Sequence, residues 1–105
     1  MKKHKPITLD GTVLNVPLEE RLDAIKATQL IEHLGRYTDD IVTEVVFDAR
    51  QLEYIASTGI RAVLFAQKMV GDEPEVIVVG ATDNVRRVFD MTGISNFITF
   101  KDEME

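Results

Sequence analysis

The sequence predicts an α/β domain built on a mixed sheet of four to five strands with a parallel core. Three observations predict this fold. The chain has 105 residues, which is the size of one domain. Apolar residues make up 45% of it and charged residues 29%, as is usual in globular proteins. From residue 41 onward, β-branched runs alternate with helical patterns, which is typical of parallel strands joined by right-handed crossovers.

The chain begins with a predicted hairpin. Residues 7–9 and 12–16 are β-rich runs on either side of Asp10-Gly11, a dipeptide that is favoured in tight hairpin turns. Pro17 ends the second run because proline has no N–H to donate to a ladder. We therefore expect an antiparallel strand pair ahead of the parallel part of the sheet.

A first helix is predicted after the hairpin, with Asp23 as its N-cap. Gly35 is expected to end this helix in a left-handed conformation. The apolar residues on one face of the helix are Ala24, Ile25, Ala27, Leu30, Ile31 and Leu34. Residues 41–47 are rich in β-branched side chains and predict a strand, with Asp48 just beyond its end.

The second half of the chain repeats the alternation. Residues 52–59 are expected to connect to a second helix over residues 59–70, which Gly71 ends. The apolar run 75–79 predicts a central strand that is buried on both faces. Thr82 or Asp83 caps a third helix that turns Val85, Val88 and Phe89 inward and Arg86, Arg87 and Asp90 outward, and Gly93 closes it. Residues 97–100 form the last strand.

The boundaries of the domain follow from the same patterns. We expect residues 1–105 to form one domain, with residues 1–5 as a flexible N-terminal tail and residues 101–105 as a frayed acidic end. The longest apolar run, residues 62–66, is far too short to cross a membrane. The basic residues near the N-terminus precede no apolar segment of the kind found in signal peptides. We therefore expect a cytoplasmic protein without a membrane partner.

Charge and residue types exclude several classes of function. The formal net charge is -6, whereas nucleic-acid binding depends on clustered Lys and Arg, so no nucleic-acid partner is expected. The chain has no cysteine, which excludes disulfides and thiolate-bound metals. Its histidines, His4 and His33, lie in the tail and on the first helix, and no glycine-rich phosphate loop or metal-ligand spacing is present. We expect no enzymatic activity, no metal and no cofactor.

The most informative segment surrounds Ser57 and Thr58, immediately before Gly59 and an uninterrupted helical pattern. Serine and threonine at a helix start are preferred N-caps, because the hydroxyl oxygen accepts a bond from a free backbone N–H. The same position also suits a phosphorylated hydroxyl, since the free N–H groups and the helix dipole stabilise a phosphate. Both interpretations remain open from the local sequence.

Three separated segments resemble the STAS domain, and especially the bacterial anti-sigma factor antagonists. The pattern of residues 56–60, Ala-Ser-Thr-Gly-Ile, which follows a strand ending at Asp48, is similar to the family's signature. Residues 21–24, Arg-Leu-Asp-Ala, resemble the start of its first helix, and residues 85–94 its last helix and following turn. The resemblance implies a single STAS-like domain with its helices mainly on one face of the sheet.

The resemblance implies a partner switch. Antagonists of this family bind an anti-sigma factor that is also a serine kinase and uses ATP, and this releases the sigma factor. Phosphorylation of one serine ends the complex, and a phosphatase restores the antagonist. By position the phosphorylated residue is Ser57, with Thr58 as its competitor. The residues implied in partner binding are Asp23, Ala56, Ser57, Thr58, Gly59, Ile60 and Arg61.

One departure and two alternatives accompany this interpretation. Ala56 stands where many antagonists have an acidic or hydroxyl residue, which puts efficient phosphorylation of Ser57 in question. The first alternative is a STAS scaffold subunit of a stressosome-like or transporter complex, in which Ser57 is only a cap. The second is a response-regulator receiver phosphorylated on Asp48, which is disfavoured because residues 14–17 hold no acidic pair and residues 80–82 no lysine.

Overall fold

Seven strands and three α-helices make up the part of the chain that the computed structural model describes, residues 6–70 and 75–103. In chain order the elements are β1 (Thr8–Asp10), β2 (Val13–Pro17), β3 (Arg21–Leu22), α1 (Ala24–Gly35), β4 (Glu44–Asp48), β5 (Tyr54–Ile55), α2 (Ser57–Met69), β6 (Glu75–Val79), α3 (Asp83–Thr92) and β7 (Thr99–Lys101), with a 3-10 turn at Ile94–Phe97. This order confirms the predicted α/β class.

Five strands form one mixed sheet in the order β1-β2-β4-β6-β7. β1 and β2 are an antiparallel hairpin around Gly11, whose φ of 63° only glycine adopts without strain. All other neighbours in this sheet are parallel. The predicted parallel core and antiparallel first pair are thus confirmed, and Pro17 is the last residue of β2.

The hydrophobic core lies on one face of the sheet, where all three helices pack. Alternate residues of β2, β4 and β6 are buried in one cluster with the inward residues of the helices. On α3 these are Val85 and Phe89, and the Phe89 ring contacts Phe100 edge to face with 5.6 Å between centroids. The helices thus occupy one side of the sheet, as the family resemblance implied. On the opposite face Asn15 and Val46 are only half-buried, whereas Ile77 and Val79 are buried, which confirms the prediction that β6 is buried on both faces.

At three helix ends the capping residue is the one that the sequence predicts. Asp23 and Thr82 accept bonds from Lys26 N and Val85 N, at 3.0 and 3.2 Å, and so cap α1 and α3. Gly93 ends α3 with a φ of 78°. These positions are confirmed because each is determined by one local bond or one backbone angle.

Several boundaries differ from the prediction. Gly35 is the last residue of α1 and does not adopt the predicted positive φ. The C-cap is instead Arg36, which keeps a helical conformation and donates its N–H to the His33 carbonyl. Ile25 is 72% exposed rather than buried, and Ala24 is exposed too. Lys101 belongs to β7 instead of a frayed end.

The remaining differences concern the strands and the residues that the structure does not describe. β4 begins at Glu44 and leaves Ile41 77% exposed in the preceding loop. The connection over residues 52–59 contains β5, which the sequence did not predict. Gly71, residues 1–5 and residues 104–105 lie outside the described residues. No described helix is long and apolar enough to cross a membrane.

Candidate functional site at two helix N-termini

A second, two-stranded sheet positions the candidate site. β3 and β5 pair in parallel, with Arg21 opposite Tyr54 and Leu22 opposite Ile55. The pairing continues one residue further, where Ala56 N donates to the Leu22 carbonyl at 2.9 Å. Each of these short strands leads directly into a helix, α1 after β3 and α2 after β5. The N-termini of α1 and α2 therefore lie side by side.

Asp23 belongs to the first of these N-termini. Its carboxylate is half-buried and accepts the bond from Lys26 N, while its own carbonyl accepts from Ala27 N at 2.8 Å. The carboxylate thus has a structural role as the cap of α1. Because β3 pairs with β5, it also places a negative charge next to the start of α2.

The second N-terminus has no side-chain cap. The N-cap of α2 is Ala56, with φ −80° and ψ 162°, and the helix begins at Ser57. The prediction that Ser57 or Thr58 caps this helix, which would start at residue 59, is wrong. The reason is geometric: an N-cap residue must be extended, whereas Ser57 and Thr58 are already helical. The amide groups of the first turn are thus left without a side-chain acceptor.

The two hydroxyls of this turn lie in different environments. Ser57 is exposed to solvent. Thr58 Oγ1 is buried, and no hydrogen-bond partner for it exists within the part of the chain that the structure describes. A kinase can reach the Ser57 hydroxyl without moving the backbone, whereas Thr58 would first have to turn outward.

Gly59 allows α2 to approach the two-stranded sheet closely. A Cβ atom at this position would lie 2.6 Å from Ile55 Cγ1 and 3.1 Å from Leu22 Cδ2, which is too close for any side chain. Ile60 is buried next to it, and Arg61 is exposed one turn beyond Ser57. Glycine is therefore required here by packing, and not by backbone angle.

Three exposed residues border the site, and sequence reasoning did not assign any of them to it. Tyr54 is 43% exposed, and Arg21 Cζ lies 4.4 Å from the centre of its ring. Ile25, in the first turn of α1, is an exposed aliphatic side chain of the kind that often contacts a partner. The only signal for Tyr54 and Ile25 in the sequence is a large apolar side chain close to a helix start.

Asp48 is held in an ion pair. Its carboxylate accepts from Arg50 Nε at 2.8 Å and from Arg50 Nη2 at 2.7 Å, and hydrogen bonding and charge attraction from Asp48 raise the pKa of Arg50. No group of three acidic or histidine side chains that could hold a metal ion is found among the described residues. The acidic cluster that a receiver needs around its aspartate is not seen there.

Comparison of the sequence with known proteins identifies the family to which the chain belongs. The sequence profile of the STAS domain matches residues 4–105, so the chain belongs to the STAS domain family. Over 86 residues it is 30% identical to BtrV of Bordetella bronchiseptica, which carries the name of an anti-sigma factor antagonist, and the match covers 81% of this chain and 73% of BtrV.

Solved structures show the same fold. SpoIIAA in its unphosphorylated form, an anti-sigma factor antagonist, superposes with a TM-score of 0.78 at 18% identity, covering 91% of this chain and 85% of SpoIIAA. The phosphorylated form of the Bacillus protein gives 0.70 at 17% identity, covering 91% and 88%. TM1081 of Thermotoga maritima gives 0.78 at 13% identity, covering 94% and 86%.

Proposed function

We propose that this protein is an anti-sigma factor antagonist that is switched off by phosphorylation of Ser57. In its unmodified form it binds an anti-sigma factor that is also a serine kinase, and the sigma factor is released. The observation that carries the proposal is the exposed Ser57 hydroxyl on the first residue of an uncapped helix, next to the capped start of α1. The name of BtrV and the STAS family support the class of partner.

The partner would contact the surface formed by the two helix starts. Asp23, Ala56 and the α2 residues from Ser57 to Arg61 form its centre, and the side chains of Tyr54 and Ile25 lie at its border. Tyrosine and arginine are among the side chains that contribute most binding energy in protein interfaces, and Tyr54 and Arg61 are both exposed here. The buried Gly59 and Ile60 act indirectly, because they fix the position of the turn that carries Ser57.

The modification itself needs no residue of this chain as catalyst. The kinase transfers the γ-phosphoryl group of its bound ATP to Ser57 Oγ, the hydroxyl loses its proton, and ADP remains on the partner. The amide groups at the start of α2, which no side chain caps, and the positive end of its dipole would stabilise the phosphate in the separated antagonist. The antagonist therefore requires no rearrangement to hold the phosphate.

The same phosphate opposes the complex. It adds roughly −1.5 to −2 charges, which must lose water in the interface and which lie beside the Asp23 carboxylate. A loss of about 3 kcal/mol in binding free energy would weaken the complex by more than about a hundredfold. Arg61 is exposed one turn away, but attraction between two solvated groups is worth only about 0–1 kcal/mol. Repulsion and desolvation are therefore expected to exceed any new attraction.

The cycle closes through a separate phosphatase that hydrolyses phosphoserine. We infer no enzymatic activity, metal or cofactor for this chain, because the proposed chemistry belongs to its partners. If the protein were instead a scaffold subunit, Ser57 would remain unmodified and binding would not respond to ATP.

A kinase assay tests the proposal. The protein is incubated with ATP and its anti-sigma factor kinase, and the phosphate is located by mass spectrometry in the wild type, Ser57→Ala and Thr58→Val. We expect one phosphate on Ser57, none in Ser57→Ala and full incorporation in Thr58→Val. Phosphate on Thr58 or Asp48 would contradict the assignment. A stable complex with the kinase that leaves Ser57 unmodified would favour the scaffold.

A further inference from the structure

A cavity of about 450 Å³ lies between α1 and the segment that joins β2 to β3. Its volume is within the range of small-molecule sites, about 300–1,000 Å³. Neither the STAS comparisons nor the proposed phosphorylation assigns a role to it. Among the described residues, its lining includes Leu18, Leu22, Lys26, Leu30, His33 and Arg36.

The charge of the lining is opposite to that of the chain. Arg21, Lys26 and Arg36 carry permanent positive charges, and Glu19 is the only carboxylate among the described lining residues. Lys26 Nζ lies 3.9 Å from Glu19 Oε2, which is a long and partly exposed ion pair. Arg36 has no carboxylate partner within the described part of the chain. Arg21 and Lys26 lie near the start of α1 and Arg36 follows its end, so positive charge is present at both ends of the cavity and favours an anionic ligand.

The rest of the lining is mostly aliphatic. Ile7, Leu18, Leu22 and Leu30 belong to the hydrophobic core or pack against it. Gln29, His33 and Tyr37 are the uncharged polar side chains of the described lining, and the Tyr37 hydroxyl is already directed at the Ile7 carbonyl, 3.5 Å away. The leucine side of the cavity offers no donor or acceptor to the edges of a nucleobase. An aliphatic chain needs none.

We propose that this cavity binds a medium-chain aliphatic carboxylate, with the carboxylate at Arg36 and the chain against the leucines. Arg36 is the principal contact for the carboxylate, because it combines a guanidinium with the absence of a competing carboxylate. His33, one turn earlier on α1, adds a further donor. Binding does not require Ser57 to be modified, so this proposal stands apart from the proposed function.

The position of the cavity connects it to the site at the helix starts. Arg21 and Leu22 line it and immediately precede Asp23, and Lys26 both lines it and donates its amide to the Asp23 carboxylate. A ligand in the cavity would therefore contact the residues that hold the start of α1.

The test is a titration of the isotope-labelled protein with sodium decanoate, followed by NMR. We expect saturable shifts confined to residues 6–7 and 17–37, weaker binding of 1-decanol, and an affinity for decanoate that falls about tenfold in Arg36→Gln, which corresponds to about 1.4 kcal/mol. Arg87→Gln, an exposed α3 residue outside the cavity, is the matched control and should bind as the wild type does.

Four results would overturn the proposal. They are the absence of saturable shifts at millimolar decanoate, shifts centred outside the cavity, equal affinity in Arg36→Gln and Arg87→Gln, or equal affinity for decanoate and 1-decanol. Guanosine monophosphate is titrated in parallel. If it binds in the cavity and decanoate does not, the assigned ligand class is wrong.

Discussion

The hydroxyl groups of Ser57 and Thr58 are neighbours in the chain, but only one of them is in contact with solvent. Thr58 Oγ1 is buried without a hydrogen-bond partner among the described residues, and burial of an unpaired polar group costs about 1–3 kcal/mol. This cost lowers the free energy of unfolding at Thr58, whereas the exposed Ser57 hydroxyl keeps its hydrogen bonds to water. The choice between the two candidate phosphorylation sites therefore depends on burial, which the sequence Ser-Thr did not reveal.

Thr58→Val tests this environment. Valine has nearly the same shape and removes the unpaired oxygen, so we expect the free energy of unfolding to rise by about 1 kcal/mol. Urea denaturation followed by circular dichroism measures the change. Ser57→Val, at the exposed neighbour, is the control and should change stability by no more than about 0.5 kcal/mol. A loss of stability in Thr58→Val would show that the hydroxyl has a partner.

Ile25 tests the extent of the partner surface at the same scale. It is 72% exposed beside Asp23, and Ile41 is 77% exposed before β4, at the other end of the sheet. We expect Ile25→Ala to weaken binding of the anti-sigma factor by about 1–2 kcal/mol, because an aliphatic contact is lost. Ile41→Ala should bind as the wild type does. Calorimetric affinities that are equal for both variants would place the partner elsewhere.

At the scale of elements, the site depends on the close contact between α2 and the β3–β5 pair. Gly59→Ala would place a methyl group 2.6 Å from Ile55 Cγ1, so α2 or β5 must shift. We expect a loss of about 1–3 kcal/mol in the free energy of unfolding, as is usual for overpacked cores. Gly35→Ala, at the end of α1, has nothing within 4 Å and should be neutral or stabilising by about 0.5–1 kcal/mol. Denaturation that ranks the two variants in the opposite order would contradict the packing argument.

The elements also show how far the sequence predicts the fold. The hairpin, β6 and α3 follow from alternation, apolar runs and caps, which are local properties. β3 and β5 have two residues each, too few for any periodic pattern, and they exist because each pairs with the other. The start of α2 was misplaced for a related reason. A serine at a helix start has the composition of a cap, and only the backbone angles of Ala56 show that the cap lies one residue earlier.

At the scale of the whole molecule, the site arises where two crossover connections meet. The segments 21–24 and 56–60 are more than thirty residues apart, and their sequences do not show which elements bring them together. The β3–β5 pairing supplies that contact. Residues Tyr54 and Ile25 could not be assigned from the sequence, because exposure is a property of the folded surface and not of the residue type.

The distribution of charge has a separate consequence at this scale. The net charge of -6 is spread over the surface, and salt screens charges that lie more than about 8–10 Å apart. In the proposed switch, one phosphate on Ser57 would therefore act on the interface as a local charge next to Asp23, and the total charge would have little influence.

The most direct measurement of the central claim compares the affinities of Ser57→Asp and Ser57→Asn for the anti-sigma factor. The two side chains have the same size and differ by one negative charge, so calorimetry of the pair separates charge from shape. We expect Ser57→Asp to bind at least about tenfold more weakly than Ser57→Asn, equivalent to about 1.4 kcal/mol, and Ser57→Ala to bind as the wild type does. Equal affinities of Ser57→Asp and Ser57→Asn would contradict a switch based on negative charge at Ser57.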